Sequence, residues 1–181
     1  MEHELGFYPA TFIMRSTDPS TLRIVDLWKF RSEKSRKWYI VEVEWFSHDF
    51  LGLKFYWKGV AESKKRYSLL THDFEPRKIV MSCIKIMLHY FKENKCASFG
   101  FVAADNIDGE KIGINKRFRF YRRMMLSLFS PDAFVQINDK NHSIYLLVNR
   151  MMLDEGHITI GQIETEITRL YHGNFTLVTE V

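Results

Sequence analysis

The chain has 181 residues, of which 46% are hydrophobic and 27% are charged, and its formal net charge is +4. This length suffices for one domain with a buried core, and no apolar run reaches the ~18 residues that a transmembrane helix needs. The two cysteines, Cys83 and Cys96, are too few for a disulfide framework. We therefore expect a cytoplasmic protein with no membrane partner.

The first seventy residues predict an antiparallel meander. Residues from Tyr39 to Phe46 alternate between apolar and polar as a half-buried strand does. The turn-forming stretches SEKSRK and SHDFLG separate neighbouring segments. Four segments are rich in β-branched and aromatic residues, as strands are: YPATFIM, TLRIVDLWKF, KWYIVEVEWF and GLKFYWKGV.

After residue 70 the pattern predicts a strand between two helices. Apolar residues from Pro76 to Asn94 have helical spacing. Pro76 suits a first helical turn, and Asp73 or Glu75 is the candidate cap. The segment ASFGFVAAD is a short strand, and a second helix follows over residues 115–129. The apolar stripe of that second helix consists of Phe118, Tyr121, Met125 and Leu128, with Met124 and Phe129 beside it.

The last third of the chain predicts a hairpin and then a helix and a strand. AFVQI and SIYLLVN are strands joined by NDKNH. Thr159 and Gln162 match a capping box, and Gly173 suits the end of the helix that they begin. The final segment, FTLVTEV, can pair with an edge of its own sheet or of another copy, so a homo-oligomer through the C-terminal strand is possible.

These elements predict an α+β fold in a single domain spanning residues 1–181. The meander occupies residues 1–70, the helix–strand–helix–hairpin part residues 71–150, and a helix–strand extension residues 151–181. A strand–helix–strand unit calls for a right-handed parallel crossover. The sheet is therefore expected to be mixed and mostly antiparallel, with two or three helices.

The second helix carries the strongest candidate binding site. Lys116, Arg119 and Arg123 fall on one face of a 3.6-residue spiral, with Arg122 beside them. Arginines near aromatic rings can contact phosphates and stack on bases. An amphipathic helix also needs a polar outer face, so solvation or internal ion pairs is the competing interpretation. The acidic tail that begins at Asp154 is one possible internal partner.

The sequence does not predict a metal site. When AADNIDGEKIGIN is aligned on Gly109 as a calcium loop, Ala104 and Asn115 stand where the first and twelfth ligands belong. The histidine–aspartate pairs at 48–49 and 72–73 each offer about one ligand, because adjacent strand residues point to opposite faces. Turn and cap roles explain both aspartates.

The order of elements from about Trp38 to Arg150 resembles the GNAT acyltransferase superfamily. In that family a meander leads to a cofactor-binding helix, a strand, a second helix and a closing hairpin. The resemblance implies a sheet that splays between GLKFYWKGV and ASFGFVAAD to admit acetyl-CoA or another acyl-CoA. Tyr121 lies on the helix that often carries the tyrosine that protonates the leaving thiolate. Glu42 and Glu44 lie on a strand that can hold a general base. The favoured interpretation is nevertheless that Tyr121 is a core aromatic residue and that the two glutamates lie on a solvated sheet face.

The chain departs from this family at its pyrophosphate-binding turn. The family has a glycine-rich turn at the start of the first long helix, whereas this chain has LTHDFEPRKIVMS. The side chains of Asp73, Phe74 and Glu75 would crowd a diphosphate there, and two of them would repel it. The stretches DNIDG and KRFRFYRR are also similar to small uncharacterised bacterial proteins, in which an aspartate–glycine turn precedes an arginine- and aromatic-rich helix.

The leading hypothesis is a non-catalytic binding module of a bacterial cytoplasmic protein that uses no cofactor. It would contact nucleic acid or an acidic protein through Lys116, Arg119, Arg122 and Arg123. The alternative is a divergent N-acyltransferase that uses acetyl-CoA or another acyl-CoA, with Tyr121, Glu42 and Glu44 as its catalytic candidates.

Overall fold

A computed structural model describes residues 6–64, 66–67, 75–102, 116–171 and 177–180. In these residues the fold is α+β, with one mixed sheet of eight strands and four helices, where two or three helices were expected. The strands are β1 Thr11–Thr17, β2 Ile24–Arg31, β3 Trp38–Trp45, β4 Phe50–Trp57, β5 Ser98–Val102, β6 Phe134–Asp139, β7 Ile144–Asn149 and β8 Val178–Thr179. The helices are α1 Pro76–Glu93, α2 Lys116–Leu128, α3 Arg150–Asp154 and α4 Ile160–Tyr171.

The strand order of the sheet is β1-β2-β3-β4-β5-β7-β6-β8. The predicted meander is confirmed, because β1 to β4 pair in sequence and antiparallel. Strand β5 lies parallel to β4, and α1 lies between them in the chain, so the predicted mixed sheet is confirmed as well. The C-terminal strand β8 pairs antiparallel with β6 of its own sheet.

Helices cover both faces of the sheet, and each face has its own apolar cluster. On the face that we call the α1/α2 face, Val41 and Val43 of β3 pack with residues of α1 and α2. On the other face, the α4 face, Leu146 and Val148 of β7 pack with residues of α4. Every residue of β6 and β7 is buried, which explains why SIYLLVN reads as a nearly continuous apolar run.

The helix starts agree in part with the sequence. Helix α1 begins at Pro76 and α4 begins with the predicted capping box, in which Thr159 and Gln162 exchange hydrogen bonds. The carboxylate of Glu75 does not cap α1 as predicted. It accepts hydrogen bonds from the hydroxyl groups of Tyr8 and Ser32 instead, because these neighbours reach it across the chain. The other candidate cap, Asp73, and Gly173 lie outside the described residues.

Helix α3 was not predicted. It begins directly after β7, where the side chain of Asn149 accepts a hydrogen bond from the backbone N–H of Met152 at 3.3 Å. Asn149 is thus both the last residue of a buried strand and the cap of a helix.

A buried carboxylate joins the edge strand to the core. Asp26 of β2 is 1% exposed. Its oxygens accept hydrogen bonds from Arg15 Nε at 2.7 Å, Tyr90 Oη at 2.6 Å and Trp45 Nε1 at 3.1 Å. A bulge between Phe12 and Met14 shifts the register of β1, so that Arg15 stands opposite Asp26.

The pKa of Asp26 reflects the hydrogen bonds that its carboxylate accepts. Burial alone would raise the pKa of the carboxyl, but hydrogen bonds from Arg15, Tyr90 and Trp45 outweigh burial and hold the pKa below its ordinary value. The ionised form therefore stabilises the fold above about pH 4, and this contribution is lost as the pH falls through the folded-state pKa.

We predict that Asp26→Asn lowers the free energy of unfolding by about 2–4 kcal/mol at pH 7, because it leaves buried donors without an acceptor. Urea unfolding at pH 7 and at pH 3 measures the effect. The control is Asp154→Asn, the same change at an exposed position. The difference in the free energy of unfolding between wild type and Asp26→Asn should be smaller at pH 3 than at pH 7. An equal difference at both pH values would contradict the role of the ionised carboxylate.

Candidate anion-binding site on helix α2

Helix α2 is anchored by the apolar stripe that the sequence predicts. Phe118 is 1% exposed and Met125 is 0% exposed, and both belong to the cluster on the α1/α2 face. The prediction is wrong for Leu128, which is 45% exposed. Leu128 is the last residue of the helix, and the ring of Phe129, 5.6 Å from that of Phe134, fills the end of the stripe instead. The buried stripe directs the basic residues of α2 away from the core.

The basic residues of α2 border an open depression with a volume of about 530 Å³. Arg119 and Arg123 lie along one side of it, and Lys140 joins them from the turn between β6 and β7. All three side chains are exposed. Among the described residues, none of the three has a carboxylate within 4 Å. Lys116 is the first residue of α2, and its side chain is not among those described.

Arg122 has a partner inside the protein. Its Nε and Nη2 atoms donate to the two carboxylate oxygens of Glu180 at 2.5 Å and 2.7 Å. The amide of Asn138 donates to the same carboxylate at 2.7 Å. Hydrogen bonding to Arg122 holds the pKa of Glu180 below its ordinary value. For Arg122 the structure thus shows the internal ion pair with the acidic tail that the sequence left open as the competing interpretation.

Basic residues also cluster in the sequence at positions 29–37 and 54–66, but none of those that the structure describes lines this depression. Lys54 pairs with Glu44 at 2.6 Å and Arg66 lies 3.7 Å from Glu42, both on the α4 face. Residues 29–37 belong to the end of β2 and to the turn that leads to β3. Four strand spacings, or about 19 Å, separate β3 from β6, which precedes Lys140.

The three catalytic candidates lie on opposite faces of the sheet. Tyr121 is 6% exposed within the cluster on the α1/α2 face, where its ring lies 6.4 Å from Phe55 and 6.3 Å from Phe101. Glu42 and Glu44 alternate with the core valines of β3 and so point to the α4 face. The hydroxyl of Tyr67 donates to Glu42, and Lys54 donates to Glu44. These candidates therefore form no shared acid–base site.

Two glycines stand opposite each other where β4 and β5 pair. Gly52 is the register partner of Gly100. A Cβ atom on Gly52 would lie 2.6 Å from Phe46, and one on Gly100 would lie 2.7 Å from Phe50. The missing side chains therefore allow both phenylalanine rings to approach the sheet. The cavity left beneath α4 measures about 30 Å³, which is room for about one water molecule and not for a cofactor.

Neither a metal cluster nor a membrane span occurs in the part of the chain that the structure describes. No three His, Cys, Asp or Glu side chains there are grouped as metal ligands, and no described helix combines the length and apolar character needed to cross a bilayer. The candidate calcium loop and the pair His72–Asp73 lie outside the described residues.

Comparisons with known proteins give no relative from which a function could be carried over. No protein-family model, no curated protein and no solved structure matches the chain.

We predict that Met125→Ala lowers the free energy of unfolding by about 2–5 kcal/mol, because it empties a fully buried position. Leu128→Ala, in the same helix, should lower the free energy of unfolding much less, by about 0.5 kcal/mol, because nearly half of that side chain is already in solvent. Thermal and urea unfolding measure both. Equal losses in the two variants would contradict the assignment of the buried stripe.

Proposed function

We propose that this protein is a non-catalytic module that binds nucleic acid through phosphate contacts on α2. The observation that carries the proposal is the grouping of Arg119, Arg123 and Lys140 around one depression, with no carboxylate within 4 Å of any of the three among the described residues. Glu180 lies near enough to Lys140 for that cation to help lower the pKa of the carboxyl. Because Arg119 and Arg123 lie on a helix and Lys140 lies in a tight turn, the backbone fixes the positions of the three charges.

The chemistry of the group favours phosphate. A guanidinium matches two phosphate oxygens with parallel hydrogen bonds, and an ammonium adds a point charge. Of the described side chains that line the depression, Leu126 is the single exposed apolar one. A protein partner would need an apolar centre to its interface, so a nucleic-acid backbone fits better than an acidic protein. Such contacts give affinity without base specificity.

We predict that Arg119→Glu/Arg123→Glu weakens binding of fluorescent 20-nucleotide DNA and RNA at least about tenfold and reduces the salt slope by about two, because two phosphate contacts become repulsive. Fluorescence anisotropy at 50 and 200 mM salt measures this. The control Lys34→Glu/Arg36→Glu makes the same charge change in the exposed β2–β3 turn.

Equal binding by the two double variants would mean that the loss of affinity comes from the change in net charge alone. It would contradict the assignment of the binding surface to α2. Binding of polyglutamate by the wild type, without binding of either nucleic acid, would reassign the partner to an acidic protein. An absence of all three interactions would reject the proposal.

The second candidate, a divergent acyl-CoA-dependent N-acyltransferase, draws support from the β4–β5 junction. This is the parallel step between the meander and the hairpin that a GNAT-like sheet requires. The two strands pair in parallel from Phe50↔Ser98 to Leu53↔Phe101. Tyr121 packs against Phe55 of β4 and Phe101 of β5. A phenol in this position could donate a proton to a departing thiolate if the strands part there.

We predict for this second candidate that acetyl-CoA raises the melting temperature, since a ligand at 100 times its Kd adds about 2.7 kcal/mol to the stability of the folded state. Differential scanning fluorimetry measures the shift. Tyr121→Phe should keep the shift and lose thiol release, which separates binding from proton transfer. No shift at millimolar acetyl-CoA would reject the acyltransferase.

A further inference from the structure

The carboxylate of Glu180 lies in a fitted anion site. Arg122 supplies two donors and Asn138 a third, all between 2.5 and 2.7 Å from the carboxylate oxygens. Asn138 is 2% exposed, so one wall of the site is a buried amide that points at the anion. We name this arrangement the Arg122–Asn138 cradle.

We propose that the Arg122–Asn138 cradle is a phosphate site that the chain's own Glu180 occupies, and that a nucleic-acid phosphate takes its place when residues 178–180 leave β6. This inference rests on the proposed nucleic-acid function. The C-terminal segment then acts as an internal competitor for the same surface.

The cradle suits a phosphodiester because the two anions share their donor geometry. A carboxylate and a phosphodiester each present two charged oxygens to a guanidinium fork. The Asn138 amide can donate to either of them. The cradle also adjoins the exposed cations, since Arg122 lines the same depression as Arg119, Arg123 and Lys140. A nucleic-acid strand bound to those residues would lie beside Arg122.

Among the described residues, few contacts other than those of Glu180 hold the segment in place. Strand β8 contains two residues, Val178 and Thr179, which pair with β6, and the Asn138 amide also donates to the carbonyl of Val178 at 3.5 Å. Val178 is 57% exposed, so its release uncovers little apolar surface. The Glu180 backbone N–H adds one hydrogen bond to the carbonyl of Gln136 at 2.7 Å. Leu177 packs against the cluster on the α4 face, so it can stay in place while residues 178–180 detach.

Release of Glu180 would change the charge of the site. With the carboxylate bound, Arg122 is neutralised, and three cations remain at the depression. With the carboxylate displaced, Arg122 becomes the fourth. Binding would then respond to the tail as well as to salt, because one protein anion and the phosphates compete for the same guanidinium.

The test compares Glu180→Gln with Glu155→Gln, which removes the same charge from an exposed position of the C-terminal third. We expect Glu180→Gln to bind the fluorescent 20-nucleotide DNA and RNA about three- to tenfold more tightly than Glu155→Gln, with a salt slope steeper by about one. The double variant Arg122→Gln/Glu180→Gln should lose that gain, because the guanidinium that carries it is gone.

A second measurement follows the segment itself. In wild type, saturating nucleic acid should speed hydrogen exchange at the Glu180 amide, whose bond to Gln136 is broken on release. An amide that stays protected in the saturated complex would overturn the proposal. Circular dichroism and melting curves confirm that each variant is folded before binding is compared.

The outcomes separate this inference from the function on which it rests. Wild-type binding with equal affinities for Glu180→Gln and Glu155→Gln overturns the competing tail and leaves the nucleic-acid function standing. Binding by Glu180→Gln alone supports both. No binding by any of the variants or by wild type rejects the nucleic-acid function, and the tail proposal with it.

Discussion

A single buried carboxylate determines how the edge of the sheet meets its core. Asp26 takes donors from β1, β3 and α1, so four elements meet at one anion. A buried charge is tolerated only when its partners are complete, and the positions of these elements are therefore coupled. Helix α1 is held at Asp26 through Tyr90 and is followed in the chain by β5. The hydrogen bonds of Asp26 therefore also help to position β5 beside β4 and the sheet face on which α2 packs.

The distribution of ion pairs matters more for this protein than its net charge. Arg15, Lys54, Arg66 and Arg122 each have a carboxylate partner within the fold. Their charges are largely compensated before any partner approaches. What distinguishes α2 is that Arg119 and Arg123, which have no ion pair among the described residues, line one depression together with Lys140 from the β6–β7 turn. The proposed function depends on this local surplus of positive charge.

Features that arise from local periodicity could be predicted from the sequence, and features that arise from register could not. The alternation in β3, the start of α1 at Pro76 and the Thr159–Gln162 box are local, and all are present. The Gly52–Gly100 pair depends on the alignment of β4 with β5, and the Arg122–Glu180 bond joins residues 58 positions apart. Helix α3 was missed because its cap, Asn149, is also a buried strand residue. The exposure of Leu128 could not be predicted because it depends on how Phe129, after the helix end, packs against Phe134.

The bulge in β1 also affects how readily this edge of the sheet can pair with another chain. Phe12, Ile13 and Met14 are 42–48% exposed on a terminal strand, and regular strands of that kind invite pairing with other chains. At the bulge Ile13 has no partner on β2, and the strand bends away from a regular ladder. The register shift that delivers Arg15 to Asp26 thus makes the apolar edge a poor template for aggregation. The same backbone irregularity thus allows the Arg15–Asp26 ion pair and interrupts the regular ladder at the exposed edge.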